Sequence, residues 1–417
     1  MRKLIVLPGK VDSPFFLNEL EYLRKGFDEV IIFSYPVSRN VIRIIQNKYK
    51  IKCKILKTKI FSLNNIKYYM RWLKRERVKK EIKTKVKFSR DGILKLVYIL
   101  LYGKFAVTAY QMLEKEVEKA EKDTQIYLYS YWLSRPAYAL SYFKELNSEK
   151  IYKTFSRAHR YDLYEYVNDL KYLPFRQSIA DSIDAIYFIS EDGLRYFKNC
   201  TDIKKNDLKL MLNYLGTYNK RGLCKNVDKK DEIIIASCSA IIPVKRLDLI
   251  IEVLEKIRTV KITWVHIGEG ELFNKIRKEA EIRLPHIEVD FLGYVNNSRI
   301  IDLYVEKDVD YFINLSDSEG IPVSIMEAMS VGIPVIARNV GGISEIVNEN
   351  NGCLLDDNYD IDTIINFIEL RVKEINIYKK YSEAAKEYWF KHFNAETNYK
   401  QFINEVISSS EEMQSGN

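Results

Sequence analysis

Apolar residues occur in short, nearly unbroken runs, each followed by a loop and then by a segment with helical spacing. Lys3 to Leu7 predicts a first strand, Pro8 to Pro14 a loop, Phe16 to Lys25 a helix, and Glu29-Val-Ile-Ile-Phe-Ser a second strand. This is a strand–helix–strand opening. Gln125-Ile-Tyr-Leu-Tyr-Ser-Tyr-Trp, the run from Lys153 that closes at His159, and Ala185-Ile-Tyr-Phe-Ile-Ser extend the series, the last leading into a helix from Glu191. Gly222 to Lys230 is polar and basic and reads as a linker. A second series follows, with strands at Glu232-Ile-Ile-Ile-Ala-Ser, Thr263-Trp-Val-His-Ile, Val289-Asp-Phe-Leu, Asp310-Tyr-Phe-Ile-Asn-Leu and Pro334-Val-Ile-Ala. Helical segments run from Ile361 to Val406, and the polar tail from Ser408 is expected to be disordered.

One stretch, Ser316 to Ala337, organises the second series. After the strand at Asp310, Pro322 suits the first position of a helix, where its missing N–H costs nothing. Ile325, Ala328 and Met329 give that helix an apolar stripe, and Gly332 stands where it would stop. In a strand–loop–helix–strand unit the ligand face lies at the carboxyl end of the strand. Glu319 falls in the loop and Glu327 inside the helix. At ~1.5 Å per residue the two carboxylates stand roughly 10 Å apart. A retaining glycosidase needs about 5 Å, whereas the wider spacing suits the two ends of an elongated ligand. Gly320, Ile321, Pro322, Val323 and Ser324 form the helix start, and Ile321 at the N-cap offers no capping side chain. Uncapped N–H groups favour a phosphate. Hydroxyls, phosphates and hydroxyls in a row describe a nucleotide sugar.

Composition adds boundaries. A chain of 417 residues accommodates two or three domains. The five cysteines are scattered, which argues against a disulfide framework or zinc site and fits a reducing compartment. No signal peptide is expected from the short apolar run at the N-terminus, nor a membrane span, since Ile93 to Val107 is interrupted by Lys95 and Lys104. The net charge of +9 is carried by one segment: Lys67 to Arg90 holds eleven Lys or Arg and two Glu. Three readings apply to it: a solvated helix face, a patch for anionic lipid in which Tyr68, Tyr69, Met70 and Trp72 supply apolar bulk, or a nucleic-acid surface. The last lacks any accompanying finger, helix-turn-helix or RNA-recognition signature, so no nucleic acid is expected. Gly9-Lys10 lacks the spacing of a phosphate loop. Asp308-Val-Asp310 precedes a strand instead of closing one, and no metal role is expected for it.

The Glu-x7-Glu pair within Ser-Glu-Gly-Ile-Pro, Met-Glu-Ala-Met, Gly-Ile-Pro-Val-Ile-Ala and Gly341-Gly342-Ile-Ser-Glu resembles family 4 of the retaining GT-B glycosyltransferases (glycosyl transferases group 1). The resemblance implies an α/β fold of two Rossmann-like, doubly wound parallel-sheet domains with a cleft between them. The expected bounds are 1–222 for an acceptor domain, 230–385 for a nucleotide-sugar domain and 386–407 for a helix returning to the first, with a tail at 408–417. It implies transfer, with retained configuration, of a hexosyl group from a UDP-sugar in preference to a GDP-sugar, to a hydroxyl of a glycan or lipid-linked acceptor in surface-polysaccharide synthesis. Neither cofactor nor metal is required on this reading. Lys245 would bind the diphosphate, Glu319 the sugar hydroxyls and Glu327 the ribose. His159 would orient the sugar or meet the acceptor, and Gly9 would lie near the phosphates. Gly268 and Gly270 would let the nucleotide approach, and Gly293, Tyr294 and Val295 would hold the base through backbone. The second phosphate cation of the family motif falls at Ala240, so Arg246 or Arg157 would have to compensate. Glu19 matches an acceptor contact. The family tilts the basic segment toward a membrane surface, hence a cytoplasmic protein on the inner face of the cell membrane. A catalytically inactive scaffold and a nucleic-acid-binding protein are the competing readings.

Overall fold

The computed structural model describes every residue except 10, 12, 57–62, 204–207, 226, 229–230 and 409–417. The chain divides into two compact units, Met1–Asn213 with Tyr399–Asn417, and Tyr214–Asn398. The division falls ahead of the polar stretch at Gly222, and that stretch is anchored in the second unit. Lys225 is buried: its ammonium donates to Asp310 Oδ1 at 3.0 Å, the Val309 carbonyl at 2.9 Å and the Tyr378 hydroxyl at 2.6 Å. Arg371 Nε reaches the same Asp310 oxygen at 2.7 Å. The expected linker lysine is thus a core group, and burial pushes its pKa down to about 8.

In the first unit the strands β1 (Arg2–Gly9), β2 (Glu29–Ser34), β3 (Lys52–Ile55), β4 (Gln125–Ser130), β5 (Lys153–Ala158), β6 (Ala185–Phe188) and β7 (Lys209–Leu212) form one parallel sheet in the order 3-2-1-4-5-6-7. Strands β1 and β2 carry apolar runs that point to both faces, as in a parallel sheet covered on both sides, whereas β5 buries Thr154, Ser156 and Arg157. In the second unit β8 (Glu232–Cys238), β9 (Lys261–Ile267), β10 (Glu288–Phe291), β11 (Tyr311–Asn314), β12 (Val335–Arg338) and β13 (Gly352–Leu355) are also all parallel, in the order 10-9-8-11-12-13. Strand order reverses between β1 and β4 in one sheet and between β8 and β11 in the other. Ligands of open parallel sheets bind beyond the carboxyl ends of the strands at such a reversal.

The basic segment covers two helices, Leu63–Leu73 and Glu76–Lys85, and the start of a third, Arg90–Glu118. That third helix is long and apolar enough to cross a membrane by length and composition, yet it is built into the first unit's core: Tyr102, Phe105, Ala106, Ala109 and Leu113 are buried. Trp72, expected as interfacial bulk, is fully buried. Its indole donates to the Tyr138 hydroxyl at 2.8 Å and lies where a Cβ on Gly103 would come within 2.3 Å. Tyr68 and Tyr69 are half-buried on the same core.

The expected last helix is two. Ile375–His392 ends at Phe393, and Ala395–Ser408 follows, belonging to the first unit from Tyr399 onward. There Phe402 packs on Tyr129, Phe155 and Tyr187, and Lys153 donates to the Val406 carbonyl at 3.1 Å. Residues 409–417 of the expected tail lie outside the described residues.

Candidate active site

In the second unit the reversal point is framed by the loops that leave β8 and β11. The first makes a 3-10 turn at Pro243–Lys245 and the second carries Glu319. The Asp317 N–H donates to the Val244 carbonyl at 2.9 Å, tying the loops together. Lys245 Nζ then meets Glu319 Oε1 at 2.5 Å, and Asn314 Nδ2 supports the same oxygen at 3.3 Å. Glycine holds this geometry from behind. Gly341, at φ +57°, lets its backbone pass so near the Glu319 carbonyl that a Cβ would sit 2.0 Å from it. The neighbouring Gly342 donates to the Gly320 carbonyl at 3.2 Å.

The helix Val323–Ser330 follows. Pro322 is its N-cap and not its first residue, with φ −69° and ψ 127°, and no side chain caps the end. Proline's fixed φ suits that extended cap conformation as readily as the first turn. The shift moves Glu327 down to about 6 Å from the helix start. Glu327 is buried, with Cys238 and Tyr304 as its polar neighbours. Burial pushes its pKa up to about 8, so it is mostly a neutral acid near pH 7.

Arg246, at the left-handed φ of 49°, is committed elsewhere. Its guanidinium forks onto Asp248 at 2.9–3.2 Å and reaches Asp317 Oδ1 at 3.1 Å. Arg338 meets Asp317 from the end of β12 at 2.5 Å. Asn314, Asp317 and Arg338 escaped the reading of the sequence; polar residues at strand ends were the available signal. A cavity of about 480 Å³ lined by Arg246, Lys275, Glu279 and Asp317 opens beside this cluster, but none of Lys245, Glu319 and Glu327 lines it.

Gly268 and Gly270 are explained by the chain's own backbone. A Cβ on Gly268 (φ +140°) would fall 1.9 Å from the Ser239 carbonyl oxygen, and one on Gly270 2.4 Å from that of Ile241. Both glycines let the loop after β9 pack against the loop after β8, where Ile241 N–H donates to the Glu269 carbonyl at 3.0 Å. Gly293 (φ +66°) accepts from Gly268 N–H at 2.9 Å, and Tyr294 N–H is taken by Glu269 Oε1 at 3.2 Å. The Tyr294 side chain is exposed and Val295 is half-buried.

In the first unit, His159 follows β5 and packs tilted at 42° against both Tyr131 and Trp132, with ring centroids at 4.7 and 4.4 Å. Both ring nitrogens are buried and have no hydrogen-bond partner among the described residues, with Asp162 Oδ2 3.8 Å from Nδ1. Burial lowers its pKa, against the opposing pull of Asp162, so the imidazole is neutral. Gly9 ends β1 at φ +73°, with Trp132 Cδ1 3.6 Å from where its Cβ would be. Two expectations fail here. Glu19 is fully buried and faces Arg157 at 3.5 Å, so it is not offered to an acceptor. Arg157 is equally buried, bonded to Tyr129 and Asn213 and covered by the Phe402 ring at 4.3 Å, so it does not replace the cation missing at Ala240.

Comparison with known proteins agrees with this architecture. Residues 224–388 match the family model "Glycosyl transferases group 1". The O-antigen biosynthesis glycosyltransferase WbnH of Escherichia coli is 37% identical over 95 residues, 22% of this chain and 25% of that protein. The E. coli UDP-Gal:alpha-D-GlcNAc-diphosphoundecaprenol alpha-1,3-galactosyltransferase is 37% identical over 123 residues, 28% of this chain and 30% of that one. The matched stretches are therefore about a quarter to a third of those relatives' own length. Anabaena Alr3699/HepE in complex with UDP has the same fold, with a TM-score of 0.69 at 13% identity over 98% of this chain and 100% of that one. The two parallel, doubly wound sheets are those of a GT-B fold, and within the second unit residues 224–388 are similar to the glycosyl transferases group 1 model.

Proposed function

We propose that the protein is a retaining glycosyltransferase that carries a hexosyl group from a nucleotide sugar, UDP-linked in preference to GDP-linked, to a hydroxyl of a glycan or lipid-linked acceptor in surface-polysaccharide synthesis. The observation that carries this is the Lys245–Glu319 pair at the sheet's reversal point, beside an uncapped helix that buries Glu327. In the ligand-free site each member of the pair neutralises the other. An arriving diphosphate takes Lys245 and the free N–H groups of the helix start, which favours negative charge there. Glu319 is then released to accept hydrogen bonds from the sugar hydroxyls, while Glu327 serves the ribose. The sugar's bond from its anomeric carbon to the diphosphate oxygen breaks as a bond forms to the acceptor oxygen on the same face. The acceptor proton passes to the departing phosphate oxygen, and the nucleoside diphosphate leaves. His159 orients the sugar or the acceptor.

The WbnH and galactosyltransferase names support the polysaccharide setting. An anionic membrane is the partner proposed for the basic segment, which places the protein at the cytoplasmic face. Ile66, Met70, Phe88, Ile93, Leu94 and Val97 expose apolar side chains along it. Calorimetry with UDP, GDP and ADP tests the reading. One nucleotide should bind, Glu327→Ala should weaken it at least tenfold, and transfer should persist in EDTA because Lys245 and the helix start carry the charge. Failure of all three nucleotides to bind overturns the proposal.

A further inference from the structure

The first unit holds a cavity of about 530 Å³ at its own reversal point, between the ends of β1 and β4. Its size is that of small-molecule sites, roughly 300–1,000 Å³. Gly9 lies at its floor, where the missing side chain leaves room beside Trp132. Tyr35, Tyr98, Tyr102, Trp132 and Tyr161 supply aromatic walls. Faces of that kind receive the apolar side of a pyranose ring, while Ser13, Ser134 and Asn168 add polar groups to the wall, the Asn168 amide donating to the Tyr161 and Tyr164 carbonyls.

Two features give the cavity a charge preference. Arg135 lines it with its guanidinium over the Tyr98 and Tyr102 rings, 5.7 and 5.9 Å from their centroids, and no carboxylate among the described residues pairs with it. The helix Arg135–Asn147 also begins in the cavity wall, and its N-cap Ser134 makes no side-chain cap. Pro136 supplies no N–H at the second position, and the remaining start of this 13-residue helix beside a guanidinium suits an anion. The one acid in the wall, Asp162, has both oxygens engaged by the N–H groups of Leu133 and His159, at 2.5 and 2.6 Å. Tyr102, 2% exposed as a whole residue, presents its remaining surface among the residues lining this cavity.

We propose that this cavity binds a pyranose carrying a phosphate, with the ring on Trp132 and the tyrosines and the phosphate between Arg135 and the helix start. This rests on the glycosyltransferase reading only in naming that ligand the acceptor. The phosphate belongs either to a free sugar phosphate or to a lipid-linked sugar diphosphate, and the recognising chemistry is the same.

The test uses the full chain. N-acetylglucosamine 1-phosphate and methyl N-acetylglucosaminide are titrated by calorimetry, alongside the same sugar joined through diphosphate to a polyprenyl chain in phosphatidylcholine vesicles. The phosphorylated sugar should bind at least tenfold more tightly than the neutral glycoside. Arg135→Gln should erase that difference with an unchanged melting temperature, and Arg135→Lys should restore part of it. Tighter binding of the lipid-linked form identifies the lipid as the source, and equal binding identifies the free phosphate. Equal affinity for phosphorylated and neutral sugars in the native chain overturns the proposal, and that comparison needs no variant to fold. So does a phosphate preference that survives Arg135→Gln but is lost in Lys245→Ala, because the probe would then occupy the nucleotide site. Absence of nucleotide binding would sink the transferase reading and leave sugar-phosphate binding here standing.

Discussion

At Lys245 one ammonium is already paired: Glu319 holds it at 2.5 Å with little exposure on either side chain, so on the proposed function an arriving diphosphate would have to displace a partly buried carboxylate. Glu319→Gln removes the competitor. Calorimetry should show UDP binding several-fold tighter, while sugar transfer falls at least a hundredfold because a neutral amide replaces the charged acceptor proposed for the sugar hydroxyls. Equal UDP affinity in the two proteins would mean that Lys245 does not meet the diphosphate. Glu327 gives a second consequence. Its folded pKa lies near 8 against an ordinary 4.5, so between those values the unfolded chain has released a proton that the folded chain keeps. Stability therefore falls as pH rises through that window, by at most about 1.4 kcal/mol per pH unit. Glu327→Gln should flatten the decline. Melting curves at pH 5 and pH 8 should show the variant gaining on the native chain at the higher pH.

At the scale of elements, the second unit's site is shaped by loops pressed together through glycines. Gly268 combines a φ that side chains rarely adopt with a contact that leaves no space for a Cβ. Gly268→Ala should cost roughly 1–3 kcal/mol from the backbone conformation alone, before any clash is counted. Urea unfolding checks this, and a loss below about 0.5 kcal/mol would contradict the packing described. The strands were legible in the sequence because Val30-Ile-Ile-Phe and Ile233-Ile-Ile-Ala are apolar throughout, as strands covered on both faces must be. Edge strands β3 and β7 were not: Lys52-Cys-Lys-Ile and Lys209-Leu-Met-Leu are short, and every residue of each is exposed or only partly covered. The helix start at Pro322 was displaced by one residue because proline fits both the cap and the first turn.

Across the whole molecule, charge is concentrated where the first unit shows apolar side chains. Of the eleven cations between Lys67 and Arg90, Arg75, Arg77 and Lys79 are ion-paired, which leaves eight without a salt bridge among the described residues. Phe88 stands fully exposed among them, and Ile93 is mostly exposed. Vesicles containing anionic lipid should therefore sediment the protein. Binding should weaken as salt rises, and separately by about 1 kcal/mol for each lysine of the segment removed near the surface. Phe88→Asp should weaken it at constant salt. Sedimentation equal on neutral and anionic vesicles would return the segment to a solvated face.

Sequence by itself determined the two series of strands and the run from Ser316 to Ala337, with Glu319 and Glu327 eight residues apart. Those features are local: apolar runs, proline and glycine at turns, and side chains close together along the chain. Tertiary structure decided which polar groups are buried. Lys225 reads as linker yet pairs with Asp310, and Glu19 and Arg157 face one another as a buried ion pair at 3.5 Å inside the first unit. It alone decided that Lys245 meets Glu319 and that Gly9, Tyr98, Trp132 and Arg135 wall one cavity. Those neighbours are brought together by strand order, and strand order leaves no mark on the residues themselves.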